Sequence, residues 1–494
     1  MSVLSTLQKI RGLTRQPTTL GLSDSLVERF AELDPKLGQA VAEALPLVEA
    51  LAARHPELFA LSEAELVRRV QEGFVNFYKD TTVNPYVAVS ARGPWVVTAH
   101  GAVVHDSGGY GMLGMGHNPQ AVLDVLGRPQ VMANVMTANF SQQAFVTRMR
   151  RELGHTRAGG PSFHSFVCLN SGSESMTLAR RLADVNAQRQ TAAQGVHPGR
   201  TIKALAVRGG FHGRTDGPAR ISDSCRDAYE KHLASFVDHS DLVTVPQNDV
   251  AALDAAFEQA QAQGWFFDAV YMEPVQGEGA PGRAITRAFY DRAVHLARAM
   301  GSLVVVDSIQ AGLRAHGVLS IIDYPGFQDA EVPDVETWSK ALNAGQFPLS
   351  VLGLSERAAQ VYVNGIYGNT MTTNPRALDI ASLVLDSITP QLRENIQRQG
   401  RRFLQGLEAI QRRLPGVVRE VQGTGLLFCA ELFPQYPVVA PMGVETQCRI
   451  VGLGVIHGGE NALRFTPHFG ITDAEVDMML ELVEQVLSNL KPTA

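Results

Sequence analysis

The 494-residue chain is 45% hydrophobic and 19% charged, with a formal net charge of -6, and is long enough to form two or three lobes. That acidic balance argues against a nucleic-acid or anionic-membrane binder, which needs a basic surface, and no apolar run approaches the ~18 residues that span a bilayer. Its four cysteines, Cys168, Cys225, Cys429 and Cys448, are scattered without a C-x-x-C pair, so neither a disulfide framework nor a zinc site is indicated and a reducing cytoplasm is expected.

Met1 to Arg15 carries Lys9, Arg11 and Arg15 without an acid and lacks the apolar core of a secretory signal. It reads as a short exposed amphipathic helix, with a transit peptide as the alternative. Residues up to about 80 read as helical: Ser62-Glu63-Ala64-Glu65 has capping-box spacing, and Leu66, Val70, Phe74 and Tyr78 follow at near-helical intervals. Val103 to Pro119, with glycines at 108, 109, 111, 114 and 116, looks like a strand running into a Gly-rich loop. From about 160 to 375 short apolar runs alternate with helical stretches. Phe166-Val167-Cys168-Leu169 precedes a helix from Ser173, and Ala204-Leu205-Ala206-Val207 precedes a loop at Phe211. A helix over Val250–Gln263 leads to the strand Ala269-Val270-Tyr271-Met272, and one around Phe289–Met300 leads to Leu303-Val304-Val305-Val306. This pattern predicts an α/β layer with a largely parallel sheet, whose ligands sit beyond the strand carboxyl ends. After about 380 the chain turns helix-rich and passes a strand-like region over Val417–Phe433. It ends in a helix opened by Thr472-Asp473-Ala474-Glu475, again at capping-box spacing.

Asp307 ends one of those strands, and 33 positions on Lys340 sits in a small loop that contains Gly345. An acid at a strand end followed by a loop lysine is how a protein holds pyridoxal phosphate (PLP). The carboxylate keeps the pyridine nitrogen protonated and the lysine binds the aldehyde as a Schiff base, while the cofactor carries the chemistry. Around this pair lie Asn170-Ser171-Gly172-Ser173-Glu174, Phe211-His212-Gly213-Arg214-Thr215, Glu273-Pro274-Val275-Gln276-Gly277-Glu278-Gly279 and Gly368-Asn369-Thr370-Met371-Thr372-Thr373-Asn374-Pro375. Ser171-Gly172-Ser173 follows a strand and opens a helix, so its backbone N–H groups and the helix dipole point at an anion.

This ordered set resembles the class III (ornithine/4-aminobutyrate type) PLP-dependent aminotransferases over roughly residues 85 to 490. The resemblance implies PLP fold type I: a large domain with a mostly parallel seven-stranded sheet flanked by helices, and a smaller α+β domain. The expected divisions are a helical extension over 1–84, part of the small domain over 85–155, the PLP-binding domain over 156–380 and the rest of the small domain over 381–494. The family begins with a shorter arm, so the extension is an addition, expected to pack on a partner subunit.

The resemblance also implies roles. Gly172 and Ser173 bind the cofactor phosphate, and Thr370 reaches it from the neighbouring subunit of a homodimer. Phe211 stacks on the pyridine, Asp307 takes its nitrogen, and Gln310 reaches the ring hydroxyl. Lys340, once displaced by substrate, shuttles the proton as a neutral amine, far below its usual pKa of ~10.4. Arg214 grips an α-carboxylate, and Glu278 is a switch: paired with Arg464 it leaves a neutral end for an ω-amine, and swung away it frees Arg464 for 2-oxoglutarate. Tyr110 falls where ornithine-specific members carry a substrate-contacting tyrosine, a core tyrosine being the other reading. Three stretches depart from the family: Ser175-Met176-Thr177 for Ala-Asn-Glu, Ser308 for the glutamate after the aspartate, and Arg314-Ala315-His316 for Gly-Arg-Thr. The loss at 308 puts support of the ring contacts in doubt.

The function so implied is a PLP-dependent ω-aminotransferase. It moves an amino group from an ornithine-, lysine-, 4-aminobutyrate- or diamine-like donor to 2-oxoglutarate by a ping-pong mechanism, without a metal. The alternatives are an aminomutase or decarboxylating transaminase on the same fold, or a pyruvate-dependent ω-transaminase. A degenerate, non-enzymatic PLP-binding or scaffold protein would lack Lys340 or Asp307, and both are present.

Overall fold

The computed structural model describes residues 2–14, 16–132, 134–159, 162–237 and 240–492; Arg15, one of the three basic residues of the N-terminal reading, lies outside them. In chain order the strands are β1 (Ala88–Arg92), β2 (Trp95–Thr98), β3 (Val103–Asp106), β4 (Ser165–Leu169), β5 (Thr201–Val207), β6 (Leu242–Val245), β7 (Trp265–Met272) and β8 (Leu303–Asp307). They continue with β9 (Val335–Trp338), β10 (Ser350–Leu354), β11 (Val418–Thr424), β12 (Leu427–Leu432), β13 (Leu453–Gly454), β14 (Ile456–Gly458) and β15 (Ala462–Phe465).

The chain divides into two units. One comprises Met1–Leu123, Arg398–Gln422 and Phe428–Ala494, the other Asp124–Gln397 and Gly423–Leu427. These divisions fall at other positions than the expected boundaries at 84/85, 155/156 and 380/381. The N-terminal helices are part of a unit rather than an appendage, and the helix Phe140–Glu152 packs on Pro375–Ser387 in the second unit.

The second unit is built on a seven-stranded sheet, order β4-β10-β9-β8-β7-β5-β6. β8 pairs in parallel with β7 and β9, and β5 with β6 and β7. β10 runs antiparallel to both β4 and β9. β8 reads Leu-Val-Val-Val-Asp and is buried throughout, as a strand covered on both faces requires. On one face Met176, Ala179 and Leu182 of the helix Gly172–Thr191 pack with Tyr271, Val305, Val335 and Leu352. Full burial of such side chains contributes ~1.5–3 kcal/mol each. The helices Val250–Gln263 and Arg287–Met300 end on Gly264 and Gly301, both left-handed (φ 67° and 83°), a conformation that glycine adopts without Cβ strain.

In the first unit β1, β2 and β3 form an antiparallel meander, to which β13 adds in parallel. The second sheet has the order β11-β12-β15-β14. The helix Val3–Leu13 is amphipathic as expected but not simply exposed, because Leu7 and Ile10 are buried and the helix packs on Pro35–Arg54. Asp34 caps that longer helix through the Lys36 amide and accepts the Trp95 indole N–H at 2.8 Å. The helix Glu63–Val70 has the expected capping box but stops at Val70. Gly73 (φ 90°) turns the chain, leaving Phe74 and Phe77 83% and 71% exposed. The C-terminal helix Asp473–Ser488 also has its box. Glu475 caps it with one oxygen, while its other oxygen lies 3.1 Å from His105 Nε2 and 2.9 Å from His468 Nε2.

Candidate active site

Four strands of the second unit, β4, β5, β8 and β9, end around one cavity of about 170 Å3, into which Ser173, Phe211, Asp307, Gln310 and Lys340 all reach. After β4, Ser171 caps the helix Gly172–Thr191, and Glu174 takes the amides of Asn170 and Ser171 at 2.8 and 3.0 Å. Gly172 and Ser173 thus occupy the first turn, where helix amides lack intrahelical partners. A Cβ on Gly172 would lie 2.6 Å from Ile309 Cδ1, and one on Gly213 (φ 118°) would overlap Ser173. These glycines hold open a cradle that side chains would fill.

β5 delivers Phe211 and His212. The Phe211 amide donates to Glu273 Oε2, and the Gly277 amide to Glu273 Oε1, each at 3.0 Å. One carboxyl group therefore clamps the loops after β5 and β7. His212 Nδ1 lies 2.9 Å from Asp307 Oδ2, with both groups buried. Asp307 Oδ1 accepts the Ile309 amide at 3.1 Å and the Thr337 hydroxyl at 3.5 Å. Burial opposes charge on His212, yet its bond to Asp307 and the nearby carboxylates carry its pKa above the ordinary value. Burial, with the Asp307 charge adding to it, pushes Glu273 up to about 7. Both residues stood in the sequence motifs without a role. The signal was their placement beside Phe211 and Gln276, but only the 95-residue reach from His212 to Asp307 reveals the contact.

β9 ends at Trp338, and Lys340 follows in the left-handed conformation (φ 44°). The Ser339 hydroxyl and the Asn343 amide both donate to Leu349 O, at 2.7 and 3.1 Å, which fixes the loop carrying the lysine. Gln310 packs on Gly277, where a Cβ would overlap its side chain. Its Oε1 is buried without a hydrogen-bond partner, an acceptor turned to a cavity that suits the hydroxyl of PLP. The anion-binding helix start, the aromatic Phe211, the held carboxylate and the lysine complete a donor set that fits PLP.

The substrate-end residues fall in two groups. In the second unit Arg214 lies over the Phe211 ring, its Cζ 5.2 Å from the centroid, with Nη1 3.6 Å from Cys225 Sγ. Burial lowers its pKa, but Cys225, Tyr229 and the charge of Glu278 carry it above its ordinary value. Glu278 itself is half-buried. Tyr110 and Arg464 belong to the first unit. Arg464 is buried on β15 opposite Cys429 and Ile456. Tyr110 (φ 49°) stacks on Tyr78 at 5.3 Å. Burial, then Tyr78 and Glu445, push its hydroxyl up, opposed by Arg449 and Arg464. Thr370 is exposed and does not line the cavity. Its neighbour Asn369 donates to Glu174 Oε1 at 2.6 Å, anchoring that loop beside the helix start.

Residues 77–487 match the model of the family described as "Aminotransferase class-III". The chain is 31% identical over 378 residues to the acetylornithine aminotransferase of Xanthomonas axonopodis, covering 75% of this chain and 85% of the relative. It is 28% identical over 409 residues to the acetylornithine/succinyldiaminopimelate aminotransferase of Photorhabdus laumondii, with coverage of 82% and 94%. Among solved structures, the ornithine aminotransferase of Toxoplasma gondii superimposes with a TM-score of 0.73 at 23% identity, covering 89% of this chain and 98% of that one. That likeness identifies the fold as PLP fold type I.

Proposed function

The chain belongs to the class III aminotransferases, PLP-dependent transaminases, and on that premise we propose that it is an ω-aminotransferase moving the terminal amine of an ornithine-type amino acid to 2-oxoglutarate by a ping-pong mechanism. The observation that carries this reading is the convergence of Gly172, Ser173, Phe211, Asp307, Gln310 and Lys340 on one cavity, with Arg214 stacked on its aromatic wall. PLP, when bound, supplies the electron sink that makes the carbon bearing the substrate amine acidic.

The chain's own residues do the rest. Asp307, held by His212 and the Ile309 amide, keeps a proton on the ring nitrogen. Phe211 covers the ring face, Gln310 addresses the ring hydroxyl, and the helix start at Gly172 and Ser173 takes the phosphate. Lys340 Nζ holds the aldehyde carbon at rest and carries the proton to and from the reacting carbon during turnover. Arg214 offers a planar fork to a substrate carboxylate. Glu278 and Arg464 set whether the distal end favours a neutral donor or a dicarboxylic acceptor, and Tyr110 contacts the substrate. Support for the donor class comes from relatives named for acetylornithine, an amino acid derivative with a carboxylate at one end and an amine at the other.

On this reading the protein works as a homodimer in which Thr370 serves the partner's cofactor phosphate. In support, Met136 and Phe140 are 87% and 91% exposed, and a groove of about 650 Å3 beside β4 is lined by Val135, Phe145, Phe166 and Thr372. The cytoplasm is its compartment: all four cysteines are free thiols, as a reducing environment keeps them. No helix among the described residues is long and apolar enough to cross a membrane.

An amine-donor panel with 2-oxoglutarate as acceptor, read as glutamate formed, tests the proposal. Ornithine-type donors should outpace simple diamines and 4-aminobutyrate. Glutamate formation from none of them, with turnover restored by pyruvate, would overturn the acceptor assignment.

A further inference from the structure

The position after Asp307, a glutamate in the aminotransferases that this motif resembles, is Ser308 here, and the structure places a carboxylate against it from another strand. Glu336 lies in the middle of β9, fully buried, paired with Val306 of β8. Its Oε1 accepts the Ser308 hydroxyl at 2.5 Å and the Ile321 amide at 3.0 Å, and its Oε2 accepts the Ser320 hydroxyl. A carboxyl group in the centre of a buried sheet is costly unless its oxygens are bonded. The three donors come from the two ends of the segment 308–321, which leaves Asp307, carries Gln310, passes the left-handed Leu313 (φ 64°) and returns. Ser308 also donates its amide to Thr337 O at 3.0 Å and accepts the Gly312 amide at 2.7 Å. Glu336 therefore closes a turn whose two ring-directed side chains are Asp307 and Gln310.

We propose that Glu336 is a positioning residue for the cofactor site: an acid supplied from β9 stands in for the acid missing at 308 and fixes the Asp307–Gln310 segment. The side chain touches neither cofactor nor substrate. It acts through the Ser308 hydroxyl and the Ser320–Ile321 backbone, so its effect lies in how tightly and in what geometry the ring is held. The idea rests on the reading of Asp307 and Gln310 as ring contacts. A direct consequence is that the acid is transferable: a glutamate at 308 should make the one at 336 dispensable.

The test compares Glu336→Val, Glu336→Gln and the double variant Ser308→Glu/Glu336→Val, with Asp307→Ala as control. The readouts are the PLP dissociation constant of the apoprotein, the absorption spectrum of bound PLP, and apoprotein melting. Glu336→Val strands two hydroxyls and an amide and should weaken PLP at least about 10-fold; Glu336→Gln, which keeps an acceptor, should weaken it less. The double variant should recover PLP affinity and spectrum to within about 3-fold. If Glu336→Val does not fold, Glu336→Gln and the double variant carry the comparison. PLP affinity unchanged in Glu336→Val, or in Glu336→Gln where the valine variant cannot be made, overturns the proposal. So does a double variant that melts like the parent yet binds PLP no better than Glu336→Val. Should Asp307→Ala also leave PLP affinity and spectrum unchanged, it is the reading of Asp307 that fails.

Discussion

Replacing His212 with leucine isolates the bond that holds Asp307. The leucine removes a buried donor 2.9 Å from Asp307 Oδ2 while nearly conserving volume. Removing one partner of a buried ion pair costs ~3–5 kcal/mol, and a hydrogen bond to a charged group contributes ~1.5–3 kcal/mol. Asp307 keeps the Ile309 amide and the Thr337 hydroxyl, so the lower figure governs and about 2–3 kcal/mol is expected. The effect depends on pH with a fixed sign. The folded state raises the His212 pKa above 6.5 and so binds that proton more tightly than the unfolded chain. The stabilisation is complete below the unfolded value and is lost as pH rises through the folded one. Denaturant unfolding of the apoprotein, followed by tryptophan fluorescence, reads this out, because Trp265 and Trp338 both lie in the sheet that carries the site. The gap between parent and His212→Leu should be widest near about pH 6 and narrow towards about pH 9. A gap of the same size at both, or one below about 0.5 kcal/mol at the lower pH, refutes the pairing.

Glu273, pushed up to about 7 from 4.5 by burial first, should make the parent lose about 3 kcal/mol as pH rises from 4.5 to 7. Glu273→Gln should lack that slope in the same unfolding curves, and identical slopes would exclude an ionising Glu273. Mixing Lys340→Ala chains with Thr370→Ala chains should partly restore activity, since one site of each mixed dimer then carries both lesions and the other none. Heterodimers that form but stay inactive would place Thr370 in its own subunit's site. Glu278→Ala should slow the half-reaction with an ω-amine by leaving a guanidinium charge in a partly desolvated pocket. Arg214→Ala should chiefly damage the half-reaction of carboxylate-bearing partners. Single-turnover absorbance of each half separates the two, and equal slowing of both halves by both variants would remove the switch.

Much of the second unit was legible because its signals are local. β8 is a run of β-branched residues, and Val250–Gln263 carries its Asp249 cap and Gly264 stop; in the first unit both capping boxes formed where their spacing put them. Strand direction was less legible, since the apolar run of β10 reads the same whether it lies parallel or antiparallel. The helix through Phe74 and Tyr78 failed for a local reason, because periodicity continued past a glycine that turned the chain. In the cavity, the residues that would face a cofactor stood inside motifs, and of those that brace them His212 and Glu273 did too but without a visible partner, whereas Glu336 stood outside the motifs. Glu336 looks like an isolated acid in an apolar strand until Ser308, Ser320 and Ile321 close around it.

The division of the chain also sets an order of completion during synthesis. The second unit is almost one continuous stretch, Asp124–Gln397, whereas the first draws on Met1–Leu123 and then on residues beyond 397. β3 finds its neighbour β13 only after more than three hundred further residues have been added. At a ribosomal rate of ~5–20 residues per second, β1 to β3 wait roughly 20–75 s for the rest of their unit, while the seven-stranded sheet between can already close. The nascent chain thus carries a finished cofactor-binding sheet ahead of an unfinished one, with the bonds from His105 to Glu475 among the last to form. Of the two units, the stretch more exposed to chaperones and proteases is therefore Met1–Leu123, made before the second unit and completed after it.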